Sequence, residues 1–547
     1  GPGAFSALME QRTRTEAQML SVLATLIMLA LLFIAYRNVS SVIASALPLA
    51  TAGIAGLLTV TLLFDAVHGI TLAFGFTLIG VAQDYPLHLL SHSRPDRSPL
   101  QSARELWSTL ATGVASTCIA YGTFLFSGVV GLTQLAFFTV AALFAAGLST
   151  RFLLPRLMQL PRRDFGDSAR LGRLWQLMTT LPRPRWAGAA MVILCLAVIV
   201  LTPGPMWEND LGKLTPVPSD LLEIDNELRG QLGSPDLRFM LVIEALNDED
   251  ALTRLELLEP RLAELKGEGA ISGYDHAARY LPSAARQLMR QQQLPADAAL
   301  RESLSAALTD TAFRPEVFEP FFNDVAQTRQ LTPLTAQQLQ DSPLGARFAL
   351  LLNTREQGTA ALVTFAGVSD LQALESLVPI AGNGVVLLDL KAASESLVAQ
   401  QRTRLLWSLA AAAILLIAVV TAALRSRERV LRVLAPMALT TLLLLAILHG
   451  AGIPLTLFHL IALILAAGLG LDYALFFEHA AEDPREQCRS LHAVLVCALS
   501  TLIVFSLLAT STLPVLQAIG VTVALGVAIN FVLALAMHKR EATTPAR

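Results

Sequence analysis

The sequence GLGLDYALFFEHAAEDP, residues Gly468–Pro484, places a carboxylate where an apolar helix is expected to lie inside a membrane. Asp472 directly follows the apolar run Pro454–Leu471, which is long enough to enter a bilayer. A second stretch, GVAQDYPLHLLSH at Gly80–His92, contains the same Asp-Tyr pair. Because a charged side chain at mid-bilayer costs about 2.5–3.5 kcal/mol on insertion scales, both aspartates are predicted to be functional.

The composition of the 547-residue chain is that of a protein with many residues in a membrane. Hydrophobic residues make up 54% and charged residues only 15%, whereas a soluble protein has about 25% charged residues. No basic patch with a stacking surface is found, so no nucleic-acid partner is expected. The four cysteines form no CxxC pair and no histidine cluster accompanies them, so neither a disulfide framework nor a metal site is predicted.

Eleven apolar segments are each long enough to cross a bilayer, which takes about 20 residues. They are 18–36, 42–64, 70–91, 108–128, 132–154, 187–203, 405–424, 430–450, 455–478, 491–511 and 514–537. The arginine-rich connections 155–186 and 425–432 have the same parity, so the positive-inside tendency predicts that they are cytoplasmic. The same parity predicts a cytoplasmic C-terminus.

The polar stretch 204–403 is expected to form a soluble α+β domain on the opposite side of the membrane. Its acidic residues outnumber its basic residues by about twelve. Strands are predicted for LRFMLVIEA, ISGY, RFALLLN, TAALVTFAG and VVLLDL, and helices for Asp248–Leu265 and DLQALESLV. With a helical insert at 277–341, the order β-α-β, insert, β-α-β fits a ferredoxin-like split βαβ unit.

The two halves of the chain repeat one pattern of residues. The pairs that lie 388 positions apart (425 − 37, 436 − 48 and 472 − 84) are Arg37 and Arg425, Pro48 and Pro436, and Asp84 and Asp472. Later matches, such as Ser127 and Ser511, lie 384 positions apart (511 − 127), because one loop is shorter. This collinear series predicts a duplication of five spans. Since only the second copy is preceded by a single span and an outer domain, the sequence is expected to be an N-terminally truncated form of a twelve-span protein.

The predicted fold is therefore an α-helical polytopic membrane protein with two five-helix repeats, one further span and one α+β domain. Its parts are a tail of a missing first periplasmic domain (1–17), a first repeat (18–160), a cytoplasmic linker (161–186), a single span (187–203), a periplasmic porter-like domain (204–403), a second repeat (404–538) and a cytoplasmic tail (539–547).

The Asp-Tyr pairs are the predicted proton relay, formed by Asp84, Tyr85, Asp472 and Tyr473. Two helices related by pseudo-symmetry would set the aspartate of each near the tyrosine of the other. Gly80 and Gly468, four residues before each aspartate, are expected to let the helices approach closely. Gln83 and His88 are secondary candidates, because the second copy has no polar residue at the position of Gln83, and His88 shares a helix face with Asp84.

The five-span repeats, the GxxxDY motif in each of them and the ferredoxin-like outer domain resemble the resistance-nodulation-division (RND) superfamily. The Asp-Tyr pairing is similar to its MMPL branch of lipid and glycolipid exporters, and the chain also resembles predicted exporters of aryl-polyene (xanthomonadin-type) pigments. The resemblance implies that the Asp-Tyr pairs carry protons and that no other cofactor is needed. It further implies that the protein lies in the bacterial inner membrane, contacts membrane lipids and carries a lipidic substrate. The expected assembly is a trimer or a monomer, and the expected partner is a periplasmic carrier protein.

Two function classes follow from these observations. The first is export of a hydrophobic or amphipathic substrate driven by the proton-motive force. The alternative is a non-transporting lipid- or sterol-sensing module, or an accessory to protein translocation; a sensor would tolerate asparagine at both aspartates. No enzymatic activity is predicted, because the outer domain has no GxSxG motif and only one histidine, His276.

Overall fold

The computed structural model is mostly helical and contains one small sheet. It describes residues 2–69, 71, 75, 80–159, 163–180, 186–214, 217, 219–232, 236–309, 311–355, 358–480 and 483–537. The chain divides into two compact units. The first joins Gly1–Val217 to Glu395–Arg547, and the second is Pro218–Ser394.

The first unit is built from long helices. They are α1 (Pro2–Tyr36), α2 (Val39–Leu63), α3 (Asp84–His92), α4 (Pro99–Gly122), α5 (Val130–Phe152), α6 (Leu154–Leu157), α7 (Ala169–Thr180), α8 (Ala187–Leu201) and, after the second unit, α18 (Leu390–Leu424), α19 (Arg427–Gly450), α20 (Leu457–His479), α21 (Pro484–Ala509) and α22 (Pro514–Met537).

Nine helices in the described part of the chain are long and apolar enough to cross a membrane, namely α1, α2, α4, α5 and α18–α22. They support a membrane-embedded protein. Two predicted spans have no such helix. For 70–91, residues 70, 72–74 and 76–79 lie outside the described residues; for 187–203, α8 has only 15 residues, fewer than the about 20 that a span needs.

The helices recur at the spacing of the sequence repeat. The first helix of each copy has 35 residues, and its first residue moves by 388 positions, from Pro2 to Leu390 (390 − 2). Both helices begin well before the predicted spans 18–36 and 405–424, so the stretch 2–17, predicted as a tail, is helical where it is described. The helices that follow them, α2 and α19, also begin 388 positions apart (427 − 39).

An arginine in the left-handed region ends the first helix of each copy. Arg37 has φ 49° and Arg425 has φ 53°, and these are the only non-glycine residues with positive φ among those described. This backbone conformation costs a residue with a side chain roughly 1–2 kcal/mol. It reverses the chain direction within two residues, and the side chain of Asn38 then accepts a hydrogen bond from the Ser40 N–H at the start of α2.

The two copies differ just before the Asp-Tyr pair. In the second copy, α20 runs unbroken through Asp472 and Tyr473. In the first copy, residues 80–82 are helical, Gln83 forms a turn, and α3 begins at Asp84. Pro86 explains the break, because it has no N–H to donate to the carbonyl of Ala82. The break thus lies just before the aspartate.

Helix α20 is the most enclosed of the membrane-length helices, since 94% of the residues in its apolar 18-residue stretch are buried. It packs against α4, α19 and α22, while α3 packs against α21. Since α4 and α3 belong to the first copy and α20 and α21 to the second, each Asp-Tyr helix contacts a helix of the other copy.

The second unit contains the sheet and several shorter helices. Its strands are β1 (Asp236–Ala245), β2 (Gly273–His276), β3 (Leu352–Arg355), β4 (Gly358–Ala366) and β5 (Val385–Asp389); its helices are α9 (Ser219–Leu232), α10 (Asp248–Gly267), α11 (Ala284–Gln292), α12 (Asp297–Leu308), α13 (Glu319–Thr328), α14 (Ala336–Gln340), α15 (Gly345–Leu351), α16 (Leu371–Glu375) and α17 (Val378–Ala381). The four main strands have the order β2-β4-β1-β5 and are antiparallel, and β3 also pairs with β4. Leu241 at the centre of β1 is paired with Val363 and Leu387 and is fully buried.

The prediction of a strand over RFALLLN is wrong for most of that segment. Residues Gly345–Leu351 form helix α15, and the strand begins only at Leu352. The buried residues are Gly345, Phe348 and Leu351, which are three residues apart as on one face of a helix. The helix predicted for DLQALESLV is also divided into α16 and α17, which are separated at Ser376 and Leu377.

Candidate functional site

The four residues of the predicted relay are all buried within the first unit. Asp84 is 1% exposed, Tyr85 2%, Asp472 3% and Tyr473 0%. Helix α3 positions Asp84 in its first turn, and α20 positions Asp472 in its interior. Two carboxyl groups are therefore held away from the surface of the helical unit, on helices of different repeats.

Each aspartate lies against a helix of the other repeat at equivalent positions. A Cβ on Gly113 of α4 would lie 2.5 Å from Asp472 Oδ1, so a larger residue there would require the carboxyl group to shift. The Sγ atom of Cys497 in α21 lies 3.9 Å from the backbone oxygen of Asp84. Gly113 and Cys497 are 384 positions apart (497 − 113), which makes these two contacts equivalent under the repeat.

The charged and phenolic groups interact across the repeat boundary. Tyr85 interacts electrostatically with Asp472, and Tyr473 with Asp84. The two aspartates also interact with each other. Each tyrosine also interacts with the aspartate of its own copy, so both aspartates contribute charge near each hydroxyl.

The carboxyl groups have few partners. In the described part of the chain, neither side-chain oxygen of Asp84 has a hydrogen-bond partner, nor does Oδ1 of Asp472 or the hydroxyl of either tyrosine. An unpaired buried carboxylate costs several kcal/mol. Neither carboxyl group forms an ion pair with a residue that the structure describes, so an ionised form of either would be left without a compensating charge.

The glycines near the Asp-Tyr pairs differ in the room that surrounds them. A Cβ on Gly80 would meet no atom within 4 Å among the described residues, and one on Gly468 would lie 3.7 Å from Thr117 Cγ2, an ordinary contact. Gly470 is the glycine of α20 that close packing requires, because a Cβ there would clash with the side chain of Asn530.

The secondary candidates lie in different places. The amide nitrogen of Gln83 donates to Ser45 Oγ at 3.3 Å, which ties the turn before Asp84 to α2. The His88 ring stacks on Phe476, with ring centroids 3.4 Å apart and an angle of 7° between the planes. Since Phe476 is the repeat equivalent of His88 (476 − 88 = 388), this stack lies where the two copies face each other.

A column of polar side chains, of which the sequence analysis identified only His88, continues from Asp84 toward one end of the bundle. It is formed by His88 and His92, which follow Asp84 at intervals of four residues on one face of α3. His92 Nε2 lies 3.1 Å from Ser490 Oγ and 3.7 Å from Glu486 Oε2. The regular spacing of Asp84, His88 and His92 was a signal in the sequence that identifies this column.

The column ends at a cluster of ion pairs. Arg489, which is 2% exposed, donates to Asp164 Oδ1 at 2.8 Å and to Glu486 Oε1 at 2.6 Å. Arg94 also pairs with Glu486. Burial raises the pKa of the Asp164 carboxyl, but the hydrogen bonds from Arg489 and from the Gly166 N–H outweigh it and hold the pKa below its ordinary value.

The second copy has no such column. At the positions equivalent to His88 and His92 it has Phe476 and Ala480 (476 − 88 and 480 − 92, both 388). Its buried ion pair is of another kind: Arg432 donates to both oxygens of Glu478 at 2.8 and 2.9 Å. The aspartates are duplicated, but the polar path beside them is not.

The described residues contain no group of three or more histidine, cysteine, aspartate or glutamate side chains that could hold a metal ion. No protein-family description matches the chain, and no curated protein sequence matches it.

Proposed function

We propose that this protein is a proton-driven exporter of the bacterial inner membrane that moves a hydrophobic or amphipathic molecule outward. The observation that carries the proposal is the buried pair of aspartates, Asp84 and Asp472, which lie on equivalent helices of two repeats and face the opposite repeat. Ionisable residues of this kind within membrane helices mark ion and proton paths. Transporters built from repeats often place such sites at the repeat interface.

The coupling between proton transfer and helix movement follows from the free-energy cost of a buried carboxylate. When both carboxyl groups are protonated, the two repeats pack without a buried charge. Loss of one proton leaves an anion that must gain water, a tyrosine hydroxyl or a cation, and each of these requires the helices to shift. A membrane potential supplies about 2.3 kcal/mol per charge per 100 mV, enough to bias such a shift.

Protons reach Asp84 along the polar column of His88 and His92 in this proposal. Histidine accepts and donates protons near neutral pH, which suits it to a relay. His92 lies 3.7 Å from Glu486, which pairs with Arg94, so the end of the column away from Asp84 lies at this ion-pair cluster. The second repeat has Phe476 and Ala480 there, so the first repeat provides this route.

The class of cargo and the cellular setting come from the resemblance to MMPL-type RND exporters. Lipids, glycolipids and aryl polyenes are the candidate cargo, and a homo-oligomer and a periplasmic carrier are candidate partners. The sheet of the second unit supports the resemblance, because β4 lies between β1 and β2 as in a split βαβ unit. In this proposal that unit is the periplasmic porter domain, and the C-terminus is cytoplasmic.

The experiment uses the full chain in proteoliposomes that contain a pH-sensitive dye and a mixture of bacterial lipids as candidate cargo. An imposed pH gradient should drive proton flux and loss of one lipid class from the vesicles. Asp84→Asn and Asp472→Asn should each reduce both rates at least about a hundredfold, because the variant side chain does not carry a proton.

Asp65→Asn is the matched control, since Asp65 lies in an exposed turn after α2. It should leave both rates unchanged. If the two buried variants retain wild-type flux while inserting and folding normally, the proton mechanism is excluded and a sensing or accessory role is favoured.

A further inference from the structure

A cavity of about 1090 Å³ lies in the first unit, beside the ends of α1, α2 and α3. Four arginines line it: Arg37, Arg163, Arg170 and Arg173. No acidic side chain is among the described residues that line it. The cavity is therefore strongly positive.

The nearby carboxylates do not balance this charge. Asp164 is engaged by Arg489, and Asp167 pairs with Arg485 at 3.2 Å. None of the four lining arginines forms an ion pair with any residue that the structure describes. Four guanidinium groups around one cavity without a counter-charge attract an anion.

The rest of the lining favours an amphiphile over a small ion. Leu90 and Met158 are buried side chains of the cavity wall, and Ala35 and Leu171 add further apolar surface. A phosphate ion would fill only a small part of the volume. A headgroup together with the first carbons of its acyl chains would use both the arginines and the apolar wall.

Helix α7 places the site at a membrane face. Its apolar side chains Leu171, Leu174 and Trp175 pack on the core of the helical unit, while Arg170 and Arg173 remain exposed. The cavity also lies where α1 ends and α2 begins, and the ends of helices long enough to cross a membrane lie near its headgroups. The cavity is therefore beside lipid headgroups and not in the aqueous domain.

The structure assigns this cavity as a binding site for a phosphate-bearing anion, whose source is the headgroup of an anionic phospholipid. Arginine suits this ligand because its planar group donates two parallel hydrogen bonds to phosphate oxygens. Basic pockets between membrane helices bind such headgroups in general. The assignment does not depend on the proposed transport function, since it concerns binding alone.

The test measures binding to the purified full chain in detergent by titration calorimetry. Three probes separate the sources: short-chain phosphatidylglycerol, phosphatidylcholine with the same chains, and glycerol phosphate. Phosphatidylglycerol should bind with saturation, and the other two should bind at least about tenfold more weakly. The variant R37Q/R170Q/R173Q should lose about tenfold in affinity for each arginine removed.

Arg425→Gln is the matched control. Arg425 has the same repeat position and the same left-handed backbone as Arg37, but it does not line the cavity. It should bind phosphatidylglycerol as the wild type does. If the triple variant aggregates, Arg173→Gln alone replaces it, because Arg173 is exposed on α7.

Two results would overturn the assignment: unchanged phosphatidylglycerol affinity in the arginine variants, or equal affinity for phosphatidylcholine. If glycerol phosphate binds as tightly as phosphatidylglycerol, the anion site stands and its lipid source is overturned.

Discussion

The two repeats have helices at equivalent positions, but the side chains that surround their aspartates differ. In the second repeat, Asp472 lies within an unbroken helix and is followed on its face by Phe476. In the first, Asp84 begins a new helix and is followed by His88 and His92. The two copies therefore have in common the acidic residue and the helix pattern, whereas only the first has a polar path beside its aspartate. Proton entry from one end of the bundle would use the first repeat.

The largest difference in stability is expected between substitutions at two equivalent positions near the end of that path, Arg489 and Glu105. Arg489 is buried and bridges Asp164 and Glu486, whereas its counterpart Glu105 (489 − 384) is 49% exposed and pairs with the exposed Arg97. Arg489→Gln should lower the free energy of unfolding by about 1.5–3 kcal/mol, because the partly buried Asp164 loses its charged hydrogen-bond donor while Glu486 keeps Arg94. Glu105→Gln should cost at most about 1 kcal/mol.

Thermal or denaturant unfolding in detergent measures both variants under the same conditions. Equal losses of stability for Arg489→Gln and Glu105→Gln would show that the two ends of the repeats are energetically alike.

His88→Phe makes the first repeat like the second at the stacking position. Proton flux should fall about a hundredfold, since a positioned proton-transfer group contributes about 10²–10⁴-fold. Stability should change little, because phenylalanine preserves the ring stack with Phe476. The measurement is dye-reported flux in proteoliposomes, and Phe476→Leu serves as the control that disturbs the stack without removing a titratable group.

If Phe476→Leu reduces flux as much as His88→Phe does, the stack itself matters and the histidine carries no proton.

Substitutions at Gly113 and Cys497 test whether Asp472 and Asp84 pack equally tightly against the opposite repeat. Gly113→Ala places a Cβ 2.5 Å from Asp472 Oδ1 and should cost about 1–3 kcal/mol through overpacking. Cys497→Ala removes one atom from the contact with Asp84 and should cost about 1 kcal/mol or less. Unfolding measurements on both variants decide it, and a stable, active Gly113→Ala variant would mean that α4 and α20 separate easily.

The loss of folding stability at acid pH should depend on Asp164. Its pKa is lowered in the folded protein, so its contribution to stability is present above the unfolded pKa and is lost as the pH falls through the folded value. Stability should therefore decline in the acid range below about pH 4. Asp164→Asn should remove part of this decline, and Asp167→Asn, on an exposed side chain, should leave it unchanged. Urea unfolding as a function of pH measures the difference.

Much of the helical framework could be predicted because its signals are local. Nine of the eleven apolar segments correspond to membrane-length helices, and the arginines Arg37 and Arg425 mark the same turn in both copies. Length and hydropathy determine such helices without knowledge of their neighbours. The strand prediction at RFALLLN failed because a short apolar run has no clear period until the buried faces of Phe348 and Leu351 are known.

The site was only partly predictable. The repeat identified Asp84 and Asp472, because equivalent charged residues in apolar segments are rare. The contacts of Gly113 and Cys497 depend on how α4 and α21 cross the other repeat, which sequence spacing does not determine. Gly80 was chosen by its distance from Asp84 along a continuous helix, and the turn at Gln83 interrupts that helix.

The enclosure of α20 has a consequence for how the protein is made. During synthesis α20 emerges after α4 and α19 but before α22, its most extensive neighbour, so the face of α20 that packs on α22 is not yet covered when α20 forms. Asp472 already has α4 as a neighbour at that stage, because it lies against Gly113. A nascent chain that stops short of Pro514 would leave one side of α20 bare, and membrane quality-control proteases should recognise it as an orphaned helix.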